Sequence, residues 1–262
     1  MLTTMIDTHS HIYAEEFDAD RSEVLERAWS AGVEHLILPD IDSESRPRMI
    51  ALAEAEPERC HAMAGLHPTS VNDNPHWQRE LDEVEKLLTT SPVKLCGVGE
   101  IGLDLYWSKD FYREQREALH AQLELALQHN LPVVIHTRSA YAEMLDAVAT
   151  YRGRGLRGVF HAYADSAEMA RKLERLGEFR FGIGGVVTFK NSGLDKVVAE
   201  LPIELLLLET DAPYLTPVPH RGKRNESSYV EFVCRKIADI HALKFEQVDT
   251  ITTATARSLF GI

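Results

Sequence analysis

The chain has little cysteine, a deficit of positive charge and no long apolar run, and each shortage excludes something. Cys60, Cys96 and Cys234 are the only cysteines in 262 residues. An odd number without metal-type spacing argues against a disulfide framework and against a thiolate metal site. They read as small buried hydrophobes in a reducing compartment. Lys and Arg number 28 against 41 Asp and Glu, for a net charge of −13. A general nucleic-acid binder held by a broad basic face is therefore excluded, and any contact with phosphate must come from a local basic patch or from bound metal. The longest apolar stretch, around 203–208, is far shorter than the ~20 residues needed to cross a bilayer. The N-terminus lacks a basic region followed by an apolar one. The expectation is a cytoplasmic protein with no membrane contact and no obligate protein partner.

What is present is a regular alternation of short apolar runs and amphipathic segments. The runs open at Met5 and recur at 35–38, 60–66, 95–98, 133–135, 158–160, 179–183 and 205–208. Helical patterns cover about 20–32, 43–57, 77–88, 110–128, a stretch through Met144 and Val148, 167–176, 229–241 and 245–259. In 110–128, Leu119, Leu123, Ala126 and Leu127 fall on one stripe of a 3.6-residue period. Eight runs separated mostly by helices predict a closed parallel sheet with helices outside, a (β/α)8 TIM barrel. The length is near the roughly 250 residues typical of that fold. No repeat or linker interrupts it, so 1–262 reads as one domain.

In such a barrel, chemistry gathers at the C-terminal ends of the strands. Those ends carry His9 and His11, then His67, Glu100, His136, His161 and Asp211. In an extended strand residues i and i+2 face the same way, so His9 and His11 make half of a metal site. Five of the 12 histidines lie at run ends, and the other seven read as ordinary surface or core residues. Four imidazoles and two carboxylates are too many for one tetrahedral zinc and suit two ions bridged by a carboxylate. His67, which precedes Pro68, reads as a substrate contact more than as a ligand. Glu209 neighbours Asp211 and is expected to point to the other side, as a structural partner.

Ordered along the chain are DTHSH at 7–11, GLHP at 65–68, GEIGLD at 99–104, PVVIHTR at 132–138, FHAY at 160–163, VTFK at 187–190, ETDAPYL at 209–215 and RGKRNE at 221–226. In their order and spacing they resemble the TatD family of metal-dependent deoxyribonucleases, from Asp7 to Phe260. The resemblance implies a metallo-dependent hydrolase barrel that cleaves phosphodiester bonds in DNA, commonly as an exonuclease. It implies that His9, His11, Glu100 and Asp211 hold one ion, and that Glu100, His136 and His161 hold the other. It favours Mg2+ or Mn2+ in use, with Zn2+ compatible with the imidazoles. The chain departs from the family pattern at Ser227, where proline usually follows Asn-Glu, at Thr255, and at Gly184-Gly185.

On this reading Asp211 is general base as well as ligand, and Glu100 is the bridging carboxylate. Arg138, two residues past His136, offers a planar fork to phosphate. Arg221, Lys223 and Arg224 form the one basic cluster expected beside the site, with Arg221 and Lys223 as substrate contacts that steer a single strand or chain end. Tyr106, Trp107 and Tyr163 are aromatic candidates for stacking a base, with packing as the commoner role for such residues. Two rival readings are a relative acting on an amide, lactone or phosphotriester, and a non-catalytic metal-binding scaffold. The first often bridges its metals with a carbamylated lysine on the fourth strand, whereas Lys94 here precedes that strand at its wrong end.

Overall fold

The computed structural model describes residues 4–262. Its strands are β1 (Met5–Asp7), β2 (Val33–Leu38), β3 (Cys60–Ala62), β4 (Val98–Asp104), β5 (Val133–Arg138), β6 (Arg157–Phe160), β7 (Glu178–Ile183) and β8 (Leu206–Leu208). Between and after them run α1 (Arg21–Ser30), α2 (Arg46–Ala55), α3 (Pro68–Val71), α4 (Trp77–Thr90), α5 (Tyr112–Gln128), α6 (Tyr141–Ala149), α7 (Ala167–Glu174), α8 (Leu194–Glu200), α9 (Val230–His241) and α10 (Phe245–Phe260). All ladders are parallel, β1 to β3 in one run and β4 to β8 in another. Two seams close the ring. At one, Ala64 bridges Val98, and Cys96 N donates to Ala62 O at 3.0 Å. At the other, Ser10 bridges Ala212, and Thr8 N donates to Leu208 O at 3.0 Å. The result is the eight-stranded TIM barrel that the alternation predicts.

Alternate residues on each strand divide between two apolar layers. Ile37, Val134, Val159 and Leu207 point inward with Ile6 and Met63, and pack on Ala256, Leu259 and Phe260 of α10. Leu36, Leu38, Val133, Ile135, Phe160, Leu206 and Leu208 point outward into the core beneath the helices. The last helix thus closes the N-terminal end of the barrel and leaves the C-terminal mouth open. Its side is anchored by Asp249, which accepts from Thr4 N at 3.1 Å. The three cysteines are free and buried, as their apolar reading anticipates. No helix among the described residues is long and apolar enough to cross a membrane.

Two details differ from the sequence pattern and both bear on the mouth. The fourth and fifth strands run further than their apolar runs, so that Glu100 and His136 lie within strands rather than just past them. Polar side chains continue these strands because the mouth, unlike the middle of the barrel, has partners for them. The fourth strand also carries a bulge: Val98 pairs with Val133 and Ile101 with Ile135, leaving one extra residue on β4. Val98 and Ile101 both face outward, so strict alternation from Val98 would turn Glu100 outward as well. The extra residue resets the phase and brings Glu100 inside.

Gly102 sits opposite His136 with φ of +150°. A Cβ built there would lie 1.9 Å from the His136 carbonyl oxygen. Gly153 also has positive φ, but open space surrounds it. Gly102→Ala is expected to cost about 2–4 kcal/mol from backbone strain and overpacking, and Gly153→Ala only about 1–2 kcal/mol. Urea denaturation of the two variants checks this, and equal losses would contradict it.

Candidate metal centre

The mouth is built around one carboxylate. Glu100 is 2% exposed, and its two oxygens are faced by different imidazoles. Oε2 lies 3.1 Å from His9 Nε2 and 3.5 Å from His11 Nε2. Oε1 lies 2.7 Å from His161 Nε2, 2.9 Å from His136 Nδ1 and 3.2 Å from His67 Nε2. Asp211 Oδ1 completes the first side, 3.8 Å from His9 Nε2 and 3.6 Å from His11 Nε2. Burial alone would raise the pKa of both carboxyls. The surrounding imidazoles instead hold Glu100 well below its ordinary value, and the His11 hydrogen bond with the neighbouring histidines holds Asp211 below its own. Burial opposes a charge on His161, but Glu100 beside it prevails and the ring is pushed up to about 10.

The far sides of the rings fix which nitrogen faces inward. Tyr13 Oη donates to Pro39 O at 2.5 Å and lies 3.0 Å from His11 Nδ1. The phenol proton is spent, so a neutral His11 carries its hydrogen on Nδ1 and keeps a lone pair on Nε2. Asp104 Oδ2 accepts from His136 Nε2 at 3.0 Å, which leaves the His136 Nδ1 lone pair facing Glu100. With those two rings neutral, His11 Nε2 and His136 Nδ1 turn lone pairs inward, 3.2 Å from His9 Nε2 and His161 Nε2 respectively. Such a set of inward donors around an ionised carboxylate fits divalent cations, with outer acceptors orienting the rings. Three groups of donors in this cluster have metal-site spacing: His9, His11 and Glu100; His9, His161 and Asp211; and His67, Glu100 and His136.

Distance places His67 in the third group, but its hydrogen bonds give it another character. It caps α3, its Nδ1 accepting from Thr69 N at 3.1 Å, with Thr69 Oγ1 at 2.6 Å. Its hydrogen is therefore on Nε2, as a donor toward Glu100 rather than a lone pair.

Glu209 overturns its expected orientation, and alternation agrees with the structure, because residues 209 and 211 are two apart, as 9 and 11 are. Expected to point away from Asp211, it instead shares the inner side, in phase with Leu207 and 3.8 Å from His161 Nδ1. Asp211 reaches the same mouth from a backbone with a positive φ of 56°, an uncommon conformation for a residue with a side chain. Glu209 Oε1 accepts from Ala162 N at 2.6 Å, and burial pushes its carboxyl up to about 8. A Cβ at Gly182 would fall 1.9 Å from Glu209 Oε2, so glycine there makes room for this carboxyl.

Asp7 joins the two strands that carry the first group. Its Oδ1 accepts from Thr210 N at 2.9 Å, and its Oδ2 from Thr210 Oγ1 at 2.6 Å. Ser227, one of the departures from the family pattern, lies 3.0 Å from Ser10 through its hydroxyl. That contact fastens the segment after β8 to the HxH segment. Asn225 reinforces it by donating to Thr210 O at 2.8 Å and Tyr214 O at 2.6 Å. Thr255 turns its hydroxyl back to Ile251 O within α10. Gly185 permits a close approach, since a Cβ would lie 2.1 Å from Leu215 O.

The basic residues separate. Arg138 is exposed at the mouth, its guanidinium 3.8 Å from the Tyr106 ring centroid. Arg224 is taken up by Asp20, at 2.6 and 2.9 Å. Arg221 covers the Phe189 ring at 4.2 Å and Lys223 is exposed; neither touches the histidine cluster. Of the expected basic cluster, Arg224 is therefore engaged within the fold, while Arg221 and Lys223 stay exposed. Tyr163 is buried and donates to Ser166 O, which removes it from the stacking candidates. Asp104 and Tyr13, the outer partners of His136 and His11, were not foreseen. Only the Asp that ends GEIGLD gave a signal, and it was ambiguous.

The family model described as TatD related DNase matches residues 6–261. The chain is 38% identical to the uncharacterized metal-dependent hydrolase YabD of Bacillus subtilis, over 98% of this chain and 99% of that protein. It is 29% identical to the 3'-5' ssDNA/RNA exonuclease TatD of Pantoea vagans, over 98% of this chain and 100% of that one. Among solved structures, the TatD homologue YjjV of Escherichia coli K12 superposes with a TM-score of 0.91 at 29% identity, covering 100% of both chains. Sequence and fold thus agree along the whole described length, and the protein belongs to the TatD family of metal-dependent hydrolases.

Proposed function

We propose that the chain acts as one barrel domain that hydrolyses phosphodiester bonds of DNA, from single strands or chain ends, as an exonuclease. The observation that carries this reading is the division of Glu100 between two imidazole groups, His9 with His11 on one oxygen and His136 with His161 on the other. His9, His11, Glu100 and Asp211 would hold one divalent cation, and Glu100, His136 and His161 the second, as Mg2+ or Mn2+ in use. When bound, such a pair supplies Lewis acidity to the phosphoryl oxygens and makes a nearby water acidic. The name of the Pantoea relative supports a nucleic-acid substrate.

The chain's own residues supply the rest. Asp211 is held ionised and takes the proton of the attacking water. It keeps 13% of its side chain exposed, so solvent and substrate reach it. His67 directs an Nε2–H toward the same oxygen of Glu100 that faces the second group, and it is placed to donate to a phosphate oxygen there. Arg138 adds a positive fork on the rim. Asp104 and Tyr13 keep His136 and His11 turned inward. Against the amide or lactone reading, Lys94 reaches Gly261 O at 3.4 Å, by the end of the helix that closes the opposite end of the barrel. It is no candidate for a bridging carbamate.

Three outcomes are expected. Metal-depleted protein releases no nucleotides from single-stranded DNA until Mg2+ or Mn2+ is restored; turnover of an ester or amide with DNA left intact would favour the rival hydrolase, and metal binding without any turnover the scaffold. Glu100→Ala and Asp211→Asn keep the fold by circular dichroism and lose at least about 100-fold in kcat/KM, and full activity in either would overturn the assignment. His67→Ala retains its metal content by elemental analysis while kcat/KM falls. Loss of one equivalent of metal would make His67 a ligand instead.

A further inference from the structure

The loop after β4 and the end of β5 leave three side chains on the rim whose arrangement hydrolysis alone does not require. Tyr106 and Trp107 are 56% and 69% exposed, and their rings meet edge to face at 5.0 Å and 85°. The Arg138 guanidinium lies 3.8 Å from the Tyr106 centroid and 5.4 Å from that of Trp107, and it makes no ion pair within the described residues. Large aromatic surface left in water costs free energy and gains nothing for the fold. Packing, the usual role for a rim aromatic, does not account for a tryptophan that remains two-thirds exposed.

The cluster is mechanically tied to the centre. Asp104 Oδ1 accepts from Tyr106 N at 3.0 Å, while Oδ2 of the same carboxylate accepts from His136 Nε2 at 3.0 Å. Leu105 N donates to Arg138 O at 3.0 Å. Arg138 follows His136 by two strand residues, about 7 Å at the usual rise. A phosphate between the imidazole groups would thus leave its adjoining nucleoside near the aromatic pair. One face of Tyr106 is covered by the guanidinium, which has no ion-pair partner among the described residues and so keeps N–H groups for an anion. Trp107 keeps most of its ring exposed to a planar partner.

We propose that Tyr106, Trp107 and Arg138 form a nucleobase-stacking platform that holds a base of a single-stranded DNA substrate beside the phosphate to be cleaved. The proposal rests on the DNA reading above and adds a source for its strand preference. Stacking tolerates any base because every base has a π-face, whereas a base within a duplex is already stacked on its neighbours. It also explains how a chain of net charge −13 retains DNA without a basic groove.

The test compares kcat/KM on a single-stranded oligodeoxynucleotide with that on the same strand carrying tetrahydrofuran abasic residues at its terminal nucleotides. Wild type is expected to favour the base-bearing strand by about 10-fold or more. In Trp107→Ala and Tyr106→Ala that ratio falls toward one, mainly through KM, and Trp107→Phe restores most of it. A ratio near one in wild type, or a ratio unchanged in both alanine variants, overturns the platform and leaves the hydrolase reading intact. If wild type cleaves neither strand, the DNA reading fails, and fluorescence anisotropy of both labelled strands with the protein in Ca2+ decides the platform by itself. Tighter binding of the base-bearing strand that is lost in Trp107→Ala supports it, and equal binding of the two strands overturns it.

Discussion

Burying a carboxylate is costly unless positive or hydrogen-bonding partners replace the water it loses. Glu100 meets that requirement with imidazoles from β5, from the ends of β1 and β6, and from the loop after β3, divided between its two oxygens. The mouth of the barrel is organised to deliver those rings. A bulge turns Glu100 inward, a glycine at 102 lets β4 pass close to His136, and α10 blocks the opposite end so that the site opens on one side only.

Support for the donors comes from residues with no direct place in the chemistry. Asp104 and Tyr13 spend their hydrogen-bonding capacity on the far sides of His136 and His11, which sets the inward nitrogen of each ring. Asp7 and Thr210 fasten β1 to β8 at the seam where His9, His11 and Asp211 come together. Ser227 and Asn225 secure the segment beyond it. Arg27 and Glu226, paired at 2.6 Å, link the same segment to α1. These contacts restrict motion where small displacements matter most, since a donor moved by about 1 Å no longer shares a site with its neighbours.

Residue patterns were informative wherever local rules are strong. The stripe in α5, the apolar runs of the strands and the HxH spacing each follow from one element's periodicity. Glu209 stands where alternation puts it, in phase with Leu207 and two residues from Asp211, so its expected outward orientation went against the same rule that pairs His9 with His11. Glu100 came out inside despite a strand phase that pointed outward, and only pairing with β5 reveals the extra residue responsible. The basic residues at 221–224 look equivalent along the chain, yet Arg224 is consumed by Asp20, which lies 204 positions away.

By itself the sequence determined the alternating barrel, the donors carried at its mouth and the acidity that denies it a broad basic grip, because periodicity, residue chemistry and charge are local or additive. The tertiary structure alone decided which nitrogen of each ring faces Glu100, that Tyr163 is buried while Tyr106 and Trp107 stand in water, and which arginine remains available. Those outcomes depend on hydrogen-bond partners and neighbours supplied by distant segments, and no short stretch of chain carries that information.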